Sequence, residues 1–575
     1  MWSYLKFRWH RQGRRLRKQI WVGRRWLSNY LDRHVYGAWQ KLGPLRWMFV
    51  SWLVIVTISI WGVLSGISNL DSFFITTRPE RGGVYTEGLL GEVRILNPIL
   101  PENTATSDVN RLIFNGLTRI GTDRKIEPDL AERWEVSADQ KSYTFYLRKG
   151  VTWHDGQPFT AKDVAFTVAA IQNPDSKSPL AYNWQGIKYE ILNERTIKFT
   201  LPNSYTAFLS ATTVGILPSH LLDSIQLSAL RINPFSQRPI GTGPYVLDDF
   251  GTGKGLITLR AYSDYFRGRP RIDEVHFALY ATPAALLDGY ARKQIMGVSQ
   301  LNATQLVSAQ KNEALKIHEY SLPAYVGLFY NTKNPYLADQ VVRQGIAQAV
   351  DRDSLIAGSL SSRAVPVYYP ILPGQPGFNP KANRYPHDLP AAQRILQSKK
   401  LTKPLQLVTL KSPEYSAVAR QIGQQLELAG LPVQVKEVDI VSLQQNHIRP
   451  RNYDLLLYGQ NAGVDSDVYS FWHSSQIADP GLNVSNYKNP EADKLLEAAR
   501  LGRDPSVRAA KYASFVEVWA KDVPAVLLYS PLYLYGQDVR IEGVVNGKIA
   551  EPSDRLNGIE TWFMKRVRVL KSDRS

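Results

Sequence analysis

Apolar and polar positions alternate along the chain with two different periods, and each period predicts one kind of secondary structure. In residues 142–147 every second side chain is large and apolar (Tyr143, Phe145 and Leu147), which predicts a half-buried strand. Apolar residues at helical spacing predict amphipathic helices at 341–356, 415–429 and 490–501. Strands and helices are mixed along the chain, with many turn residues and no internal repeat, which predicts an α/β protein.

Two polar motifs within this pattern have both a structural and a chemical interpretation. His154 to Gly156 (His-Asp-Gly) fits a tight turn, which is favoured over a catalytic dyad. Thr160 and Asp163 then have the spacing of a capping box at the start of a helix. The glycine-rich run 251–255 lies between two alternating segments, so a β-hairpin is predicted there. A phosphate-binding loop would instead lead from a strand into a helix.

The longest apolar run, 47–70, contains no charged residue and predicts a membrane span. Its length as a helix is about 36 Å, and the apolar core of a bilayer is about 30 Å thick. A cleaved signal peptide is the alternative, but such a peptide has a short charged region and an Ala-x-Ala cleavage pattern. Because 46 residues precede the run and no such pattern follows it, we expect an uncleaved transmembrane helix at 47–70 with a linker at 71–82.

Charge is distributed very unevenly around this run. The chain has a formal net charge of +18, and residues 1–46 hold twelve Lys or Arg against one acidic residue, Asp32. Residues 71–575 hold 57 basic and 50 acidic residues, so the main part of the chain is nearly balanced. Since basic residues beside a span stay in the cytoplasm, we expect the arm inside and residues 71–575 outside, in the extracellular or periplasmic space.

The basic arm 1–46 also carries tryptophans between its arginines and lysines. This composition suits a helix that lies on anionic lipid, and it equally suits a disordered basic tail that only sets the orientation. Nucleic-acid binding is disfavoured, because the following span would hold the arm at the membrane. Lipid contact through the arm and through Trp47 to Leu70 is therefore predicted, and a nucleic-acid partner is not.

The chain has 575 residues and no cysteine. Its length predicts more than one globular domain. The absence of cysteine excludes disulfides, thiolate metal sites and cysteine nucleophiles, and it removes the residue that carries the lipid of bacterial lipoproteins. A membrane anchor of this chain would therefore be of another kind, which the predicted span supplies.

Several separated segments together resemble one protein family. Residues 126–164 run Ile-Glu-Pro-Asp-Leu-Ala-Glu-Arg-Trp through Val-Thr-Trp-His-Asp-Gly-Gln-Pro-Phe-Thr-Ala-Lys-Asp-Val. This stretch resembles the signature of family 5 of the bacterial extracellular solute-binding proteins, the oligopeptide and dipeptide capture subunits of ABC importers. Further matching segments follow in the family's order and cover nearly all of 83–545; they are Leu96 to Pro98, Ile113 to Leu117, Gly241 to Tyr245, 331–351 and Asp522 to Tyr529.

The resemblance implies a two-lobed α/β fold of the periplasmic-binding-protein type (type II, three-subdomain variant), here preceded by one transmembrane helix. It places lobe I at 83–270 plus 525–575, with an extra subdomain near 112–230, and lobe II at 271–524. It implies a monomer that binds a peptide or similar small solute in the cleft between the lobes and delivers it to permease subunits. No catalytic residue, metal site or cofactor is expected.

The resemblance also points to ligand-binding residues in two parts of the chain. In the family, the segment before the Ile-Phe-x-Gly-Leu element forms one wall of the site, which here includes Asn103, Thr104 and Thr106. An exposed loop with a helix cap is the alternative interpretation. Tyr325 begins a strand that is a second candidate wall, although aromatic alternation is equally typical of a core strand.

The segment 458–471 is the most diagnostic one. Relatives carry an Asp that pairs with the ligand's α-ammonium, followed by a second acidic residue and a Phe. If Phe471 is matched to that Phe, Asp467 takes the second acidic position and the ammonium-binding position falls on Val464. Either a small shift lets Asp465 bind the ammonium, or this anchor is missing. Asp465, Asp467, Asn461 and Gly463 are the predicted contacts, the last two through backbone groups.

Two other functions were weighed against a solute-binding subunit. An enzyme is disfavoured because the chain lacks His-Glu-x-x-His, Gly-x-Ser-x-Gly and P-loop motifs, and its nine histidines do not cluster. A membrane-bound ligand sensor would use the same binding fold. It is disfavoured because the arm is too short to contain a signalling domain.

Overall fold

The computed structural model describes residues 45–203, 208–251, 255–301, 305–306, 309, 313–399, 401, 403–479, 481–502, 504–544 and 547–570. The chain divides into two compact units, one containing 45–78 and 566–570 of the described residues and the other spanning 79–565. Most of the predicted basic arm (1–44) lies outside the described residues, so its two interpretations stay predictions.

The smaller unit consists of one long helix and a two-stranded ribbon. Helix α1 (Leu45–Phe74) is followed by strand β1 (Ile75–Glu80), which pairs with the last strand, β20 (Lys565–Leu570). Large apolar side chains between 47 and 63 are exposed, for example Leu53 and Trp61 at 71% and 73%. Among the described residues no helix combines the length and apolarity of a membrane crossing. The predicted single-pass span at 47–70 is therefore not confirmed.

The larger unit is built on one extended sheet of twelve strands. Ten strands follow in the order β17-β16-β18-β14-β19-β12-β2-β11-β10-β9, and β13 and β15 also pair with β19. The bounds are β2 Val84–Leu90, β9 Tyr245–Asp249, β10 Leu256–Ala261, β11 Glu274–Tyr280, β12 Gly297–Leu301, β13 Leu315–Ser321, β14 Ala324–Tyr330, β15 Ala364–Pro366, β16 Leu405–Leu410, β17 Val433–Val438, β18 Leu455–Asn461 and β19 Ala525–Asp538.

Strand β19 joins the two halves of this sheet. Its first residues pair antiparallel with β14 and β15, for example Phe329 with Ala525 and Ala364 with Pro531. Its later residues pair with β12 and β13, beginning with Leu532 opposite Ser321. We call the part built on β2 and β9–β13 lobe I and the part built on β14–β18 lobe II. A single strand therefore completes the sheets of both lobes.

Lobe I also carries two small antiparallel sheets. The bounds are β3 Thr118–Ile120, β4 Ile126–Pro128, β5 Ala131–Val136, β6 Ser142–Leu147, β7 Lys188–Asn193 and β8 Thr196–Thr200, with the orders β3-β4 and β5-β6-β8-β7. In β6 the residues Tyr143, Phe145 and Leu147 are buried and their neighbours are half-exposed, so the predicted strand is confirmed. The predicted hairpin around 251–255 is confirmed as well, because β9 and β10 pair antiparallel.

The two polar motifs are structural. The Asp163 carboxylate accepts the Thr160 N–H at 2.8 Å, as a capping box requires. His154 Nε2 lies 3.0 Å from Gly243 O, its Nδ1 accepts the Gly241 N–H at 3.2 Å, and burial lowers its pKa to about 4. The Asp155 carboxylate instead contacts His220, so the histidine and the aspartate do not form a dyad.

The predicted helices are present, with one change. Residues 415–429 and 490–501 are helical as predicted, but 341–356 divides into two helices because Asp351 caps the second by accepting the Ser354 N–H. The helices are α2 Thr104–Ile113, α3 Ala161–Gln172, α4 Ala181–Trp184, α5 Phe208–Ala211, α6 Ser219–Leu222, α7 Pro283–Ala291, α8 Pro335–Ala338, α9 Gln340–Ala349, α10 Arg352–Leu360, α11 Leu389–Ser398, α12 Pro413–Leu428, α13 Ile440–Ser442, α14 Tyr469–Trp472, α15 Pro490–Leu501 and α16 Pro505–Asp522.

Helices cover both faces of the lobe II strands. Leu328 and Leu455 face a core formed with α9–α12, whereas the next residues along each strand, Phe329 and Leu456, face a core formed with α15 and α16. Burial of both faces explains why these strands are almost continuously apolar. The core of lobe I packs α2 and α3 against β2, β10 and β11.

Candidate ligand-binding site

The first predicted wall lies at the start of helix α2. Asn103 is the N-cap of this helix, because its Oδ1 accepts the Thr106 N–H at 2.9 Å while its Nδ2 donates to Glu92 O at 2.9 Å. Thr104 is exposed, whereas Thr106 is fully buried. The three residues therefore do not share one surface, and Asn103 has the capping role of the alternative interpretation.

The same helix forms one wall of a cavity of about 210 Å³. Ser107, Asn110 and Arg111 line it at the spacing of one helix face, and the spacing from Thr104 continues this face. The remaining wall is formed by Pro98, Pro101, Phe114, Leu180, Asn183, Trp184, Ser210, Ala211, Thr213, Val214, Gly215 and Glu551. The sequence analysis missed this cavity, although the polar positions at 104, 107, 110 and 111 were a usable signal.

Arg111 of the cavity wall is held by acidic residues from the C-terminal part of the chain, whereas Asn110 is not. Arg111 pairs with the carboxylates of Glu551 and Asp554, the latter at 3.1 Å. Burial raises the pKa of Asp554, and the Glu551 carboxylate raises it further. Asn110 is 7% exposed, and its Oδ1 has no hydrogen-bond partner among the described residues.

A fully buried ionic network lies on another side of α2. Arg555 donates to both oxygens of Asp108 at 2.7 Å and also pairs with Glu87. Tyr85 connects Glu87 to Tyr535 of strand β19, with both hydroxyl contacts at 2.7 Å. Burial raises the pKa of Asp108 to about 6, although Arg555 opposes this shift. The network joins α2 to the strand shared by the two lobes.

The second predicted segment follows strand β18 in lobe II. Asn461 Oδ1 accepts the Gly463 N–H at 2.9 Å, and Gly463 has a φ of +70°, which favours glycine. The carbonyl of Gly463 accepts a hydrogen bond from Gln375 Nε2 at 2.9 Å. The backbone of this loop is thus fixed by one local hydrogen bond, from Asn461, and one from the distant Gln375.

Both acidic residues of this loop are paired with arginines. Asp465 pairs with Arg508 of α16, and Asp467 pairs with Arg500 of α15 through Nε and Nη2, each 2.8 Å from Oδ2. Burial raises the pKa of Asp465, and Arg508 opposes this effect. A ligand ammonium could therefore reach the Asp465 carboxylate only by competing with a guanidinium.

Tyr325, the third predicted element, lies in the core. Its side chain is fully buried, and its hydroxyl donates to Gln460 Oε1 at 3.1 Å. This is the core-strand alternative of the sequence analysis. Tyr325 therefore does not line a solvent-accessible wall in this structure.

The two lobes meet beside these segments. The Tyr182 hydroxyl of lobe I donates to Gln476 Oε1 of lobe II at 3.3 Å. The charges of Arg508 and Asp465 also act on the pKa of Tyr143 in strand β6, which burial raises. Among the described residues no hydrogen bond or ion pair joins 103–106 to 461–467, so the predicted contacts do not form one cluster. Within the described part of the chain no group of three His, Asp or Glu side chains is arranged to hold a metal ion.

The chain is similar to known solute-binding proteins over most of its length. It is 28% identical over 534 residues to the oligopeptide-binding protein AppA of Bacillus subtilis, covering 87% of this chain and 95% of that protein. It is 26% identical over 492 residues to the dipeptide-binding protein of Escherichia coli, covering 79% of this chain and 90% of that protein.

A solved structure shows the same architecture. The structure of the oligopeptide-binding protein AppA from Bacillus subtilis in complex with a nonapeptide has a TM-score of 0.70 at 26% identity, covering 85% of this chain and all of that one. Residues 125–479 match the model of the middle part of the bacterial extracellular solute-binding proteins, family 5. The chain therefore belongs to this family, and the prediction that it is a binding protein and not an enzyme is confirmed.

Proposed function

We propose that the chain is the solute-capturing subunit of an ABC importer and that it binds peptides or similar small solutes between lobe I and lobe II. The observation that carries this proposal is the likeness to an oligopeptide-binding protein across nearly the whole length of both chains. The protein acts as a monomer that passes its solute to permease subunits.

We divide the sheet into lobes by which strands pair with one another. The pairing of β11 and β12 with β2, and of β13 with β19, supports a lobe I boundary at about residue 322, whereas the sequence analysis placed it at 270. The chain returns to lobe I near Pro531, where the partners of β19 change from β15 to β13. Bending near these two crossings would open and close the cleft, as in other hinged binding proteins.

An extended peptide offers repeated N–H and C=O groups that pair with protein backbone independently of its side chains. Asn461 is the last residue of β18 and Gly463 follows it, and we place the ligand's backbone beside this strand end. The N–H and the C=O of Gly463 are already hydrogen-bonded to Asn461 and Gln375, so the ligand would pair with neighbouring backbone groups. Thr104 begins the exposed face of α2 on the lobe I side. Asp465 and Asp467 contribute through the two arginines that hold them, so the ligand meets paired charges rather than bare carboxylates.

The proposed function includes attachment to the membrane through 47–70. The uncharged run, the twelve basic residues before it and the exposed apolar side chains at 47–63 all support a helix that lipid surrounds. The arm would lie in the cytoplasm against anionic lipid, and the binding lobes would lie outside. Retention of the full chain in carbonate-washed membranes tests this part, and release into the wash would contradict it.

Binding is tested on the full chain purified in detergent. Mass spectrometry of solutes that co-purify with it should identify peptides, and adding a pool of short peptides should raise the Tm of the lobes. A ligand that binds only the folded state stabilises it by an amount that grows with the logarithm of its concentration above Kd. No co-purified solute and an unchanged Tm across peptides of two to nine residues would contradict the proposal.

A further inference from the structure

A second cavity, lined by arginines, lies where the larger unit begins. Its volume is about 360 Å³, within the range of about 300–1,000 Å³ that is typical of small-molecule sites. Its wall includes four arginines, one acid and the first residue of the larger unit; they are Arg81, Arg267, Arg269, Arg271, Glu560 and Pro79. The predicted solute contacts at 103–106, 325 and 461–467 do not line it. The cavity is therefore separate from the solute site.

Two of the four arginines have carboxylate partners. Arg267 donates to Asp129 at 2.8 Å, and Arg269 donates to Asp273 at 2.5 Å. Arg267 also donates to the carbonyl of Pro128 at 2.8 Å. These hydrogen bonds hold the two guanidiniums in place, and the two carboxylates balance their charge.

The other two arginines have no carboxylate partner. Arg271 donates to the carbonyl of Pro79 at 3.2 Å, and the Gly82 N–H donates to the carbonyl of Arg271 at 2.8 Å. These two bonds fix the segment that carries Arg81 beside Arg271. The Arg81 side chain is exposed. Within the described part of the chain no ion pair joins either guanidinium to a carboxylate.

The cavity therefore has a surplus of positive charge. Its four guanidiniums are accompanied by three carboxylates, two in the ion pairs with Arg267 and Arg269 and one from Glu560 in the wall. One positive charge is left over. A phosphodiester carries one negative charge, whereas a phosphate monoester carries about −1.5 to −2 at pH 7. Arginine suits phosphate oxygens, because its planar guanidinium can donate two parallel hydrogen bonds.

The chain connects this cavity closely to the predicted membrane span. Pro79 follows Leu70, the end of the span, by nine residues. Four of them complete helix α1 and the others belong to β1, so together they reach at most about 22 Å. The partner of β1, strand β20, carries three exposed basic residues, Lys565, Arg566 and Arg568. Basic residues beside a bilayer are attracted to anionic lipid.

We propose that the arginine-lined cavity binds the phosphodiester group of an anionic membrane phospholipid such as phosphatidylglycerol. Arg81 and Arg271 donate hydrogen bonds to its two non-bridging oxygens. A bound headgroup ties the larger unit to the surface of the membrane that holds the chain. The inference rests on the proposed attachment to the membrane and adds a second, lipid-specific contact to it.

The test follows the Tm of the full chain in a non-ionic detergent while phosphatidylglycerol is titrated. Phosphatidylcholine is the matched lipid, because its choline cation neutralises the same phosphodiester. The concentration that gives half of the rise in Tm should be at least about tenfold lower for phosphatidylglycerol. Inorganic phosphate is titrated in parallel and should need a concentration at least about tenfold higher than phosphatidylglycerol does.

Variants locate the effect in the cavity. Arg81→Gln combined with Arg271→Gln removes the two unpaired charges and should raise the half-maximal concentration of phosphatidylglycerol at least about tenfold. Arg81→Lys combined with Arg271→Lys keeps the charges and should stay within about threefold of the unmutated chain. The matched control combines Arg260→Gln with Arg394→Gln, two exposed arginines outside the cavity, and should leave the response unchanged. All these proteins keep the basic arm, so its lipid contacts contribute equally.

The outcomes separate this proposal from the proposed function. Equal half-maximal concentrations of the two lipids would overturn the site, as would an unchanged response of the double glutamine variant. A response to inorganic phosphate at the concentration of phosphatidylglycerol would identify a free phosphate as the ligand and overturn the lipid contact. Release of the unmutated chain from membranes by carbonate would instead contradict the proposed attachment itself.

Discussion

Asp465 and Arg508 form an ion pair in which both side chains are largely buried, at 20% and 14% exposure. The guanidinium occupies the carboxylate that would bind a ligand's α-ammonium if the family's ammonium-binding position, which falls on Val464, is shifted by one residue. Recognition of a free amine at this position therefore requires exchange of one cation for another. The energetic balance of that exchange determines whether free-amine peptides are preferred.

Removing the arginine should change this balance. In Arg508→Ala the Asp465 carboxylate loses its partner, and we expect a loss of stability of about 1–3 kcal/mol. Free-amine peptides should restore more of the Tm than their N-acetylated forms, because only they supply an ammonium. Thermal melts with each peptide measure this difference.

Two further variants serve as controls for that experiment. Arg508→Lys keeps the positive charge and should behave like the unmutated chain. Asp465→Ala should weaken binding of free-amine peptides more than that of acetylated ones. Identical responses of Arg508→Ala to both peptide forms would exclude Asp465 as an ammonium site.

The buried carboxyl of Asp108 predicts an unusual dependence of stability on pH. Its pKa is about 6 in the folded chain and 3.8 in the reference state, because burial disfavours the charged form. Between these two pH values the folded chain therefore binds more protons than the unfolded chain. The stabilisation that Asp108 contributes to the free energy of unfolding is fully present below pH 3.8. It is lost as the pH rises through 6, and it amounts to about 3 kcal/mol.

Urea unfolding between pH 4 and pH 7 measures this dependence. Asp108→Asn cannot titrate, so its free energy of unfolding should fall less steeply over this range than that of the unmutated chain. Parallel pH profiles for the two proteins would show that Asp108 does not titrate in this interval.

Arg555 should be one of the most sensitive positions of the chain. Its side chain is fully buried between the carboxylates of Glu87 and Asp108. Arg555→Met should cost about 3–5 kcal/mol, because both carboxylates would remain buried without a counter-charge. Chemical denaturation gives this value directly.

Arg540 provides the matched comparison. It pairs with Asp538 but is 63% exposed, and exposed pairs contribute about 0–1 kcal/mol. Arg540→Ala should therefore leave the stability nearly unchanged. Similar losses in Arg540→Ala and Arg555→Met would contradict the role of burial.

The glycine at 241 predicts a steric effect on helix α2. A Cβ atom placed there would lie 1.8 Å from the carbonyl oxygen of Ile113, the last residue of that helix. Because this oxygen belongs to the backbone, the clash can be relieved only by shifting the main chain. Gly241→Ala should therefore destabilise lobe I by several kcal/mol, on the scale of severe overpacking. Circular dichroism melts monitor the loss.

Gly358 is a suitable control for this substitution. It lies within helix α10, where the nearest atoms belong to the flexible side chain of Gln421. Gly358→Ala should be neutral or stabilising by up to about 1 kcal/mol, since alanine favours the helix. A destabilisation equal to that of Gly241→Ala would contradict the steric argument.

Local patterns predicted the local structure well. The alternation at 142–147 and the capping box at Thr160 depend only on neighbouring residues, and both are present. The helix predicted at 341–356 was correct in type but divided at Asp351, where the capping side chain outweighed the continuing apolar period. Short motifs spread along the chain identified the family. No single motif is specific, but their occurrence in the family's order is.

The ligand-binding residues were harder to predict, because their partners are distant in sequence. Asp465 was predicted to bind the ligand's ammonium, but Arg508, 43 residues away in sequence, pairs with its carboxylate. Glu87 and Arg555 are 468 residues apart, and no local pattern relates them. Tyr325 was hard to assign for a different reason. An aromatic residue on a strand gives the same local sequence pattern whether it faces a cleft or, as Tyr325 does, a core.

Strand β19 also constrains the order in which the protein can fold as it is made. Its residues 525–538 fill a gap between strands of both lobes, and Arg555 follows it into the core of lobe I. Neither lobe can close its sheet until the ribosome has delivered strand β19. Until then the edges of β12, β13 and β14 stay open to other strands, which favours aggregation. Nascent chains of this protein should therefore depend on holding chaperones until β19 emerges.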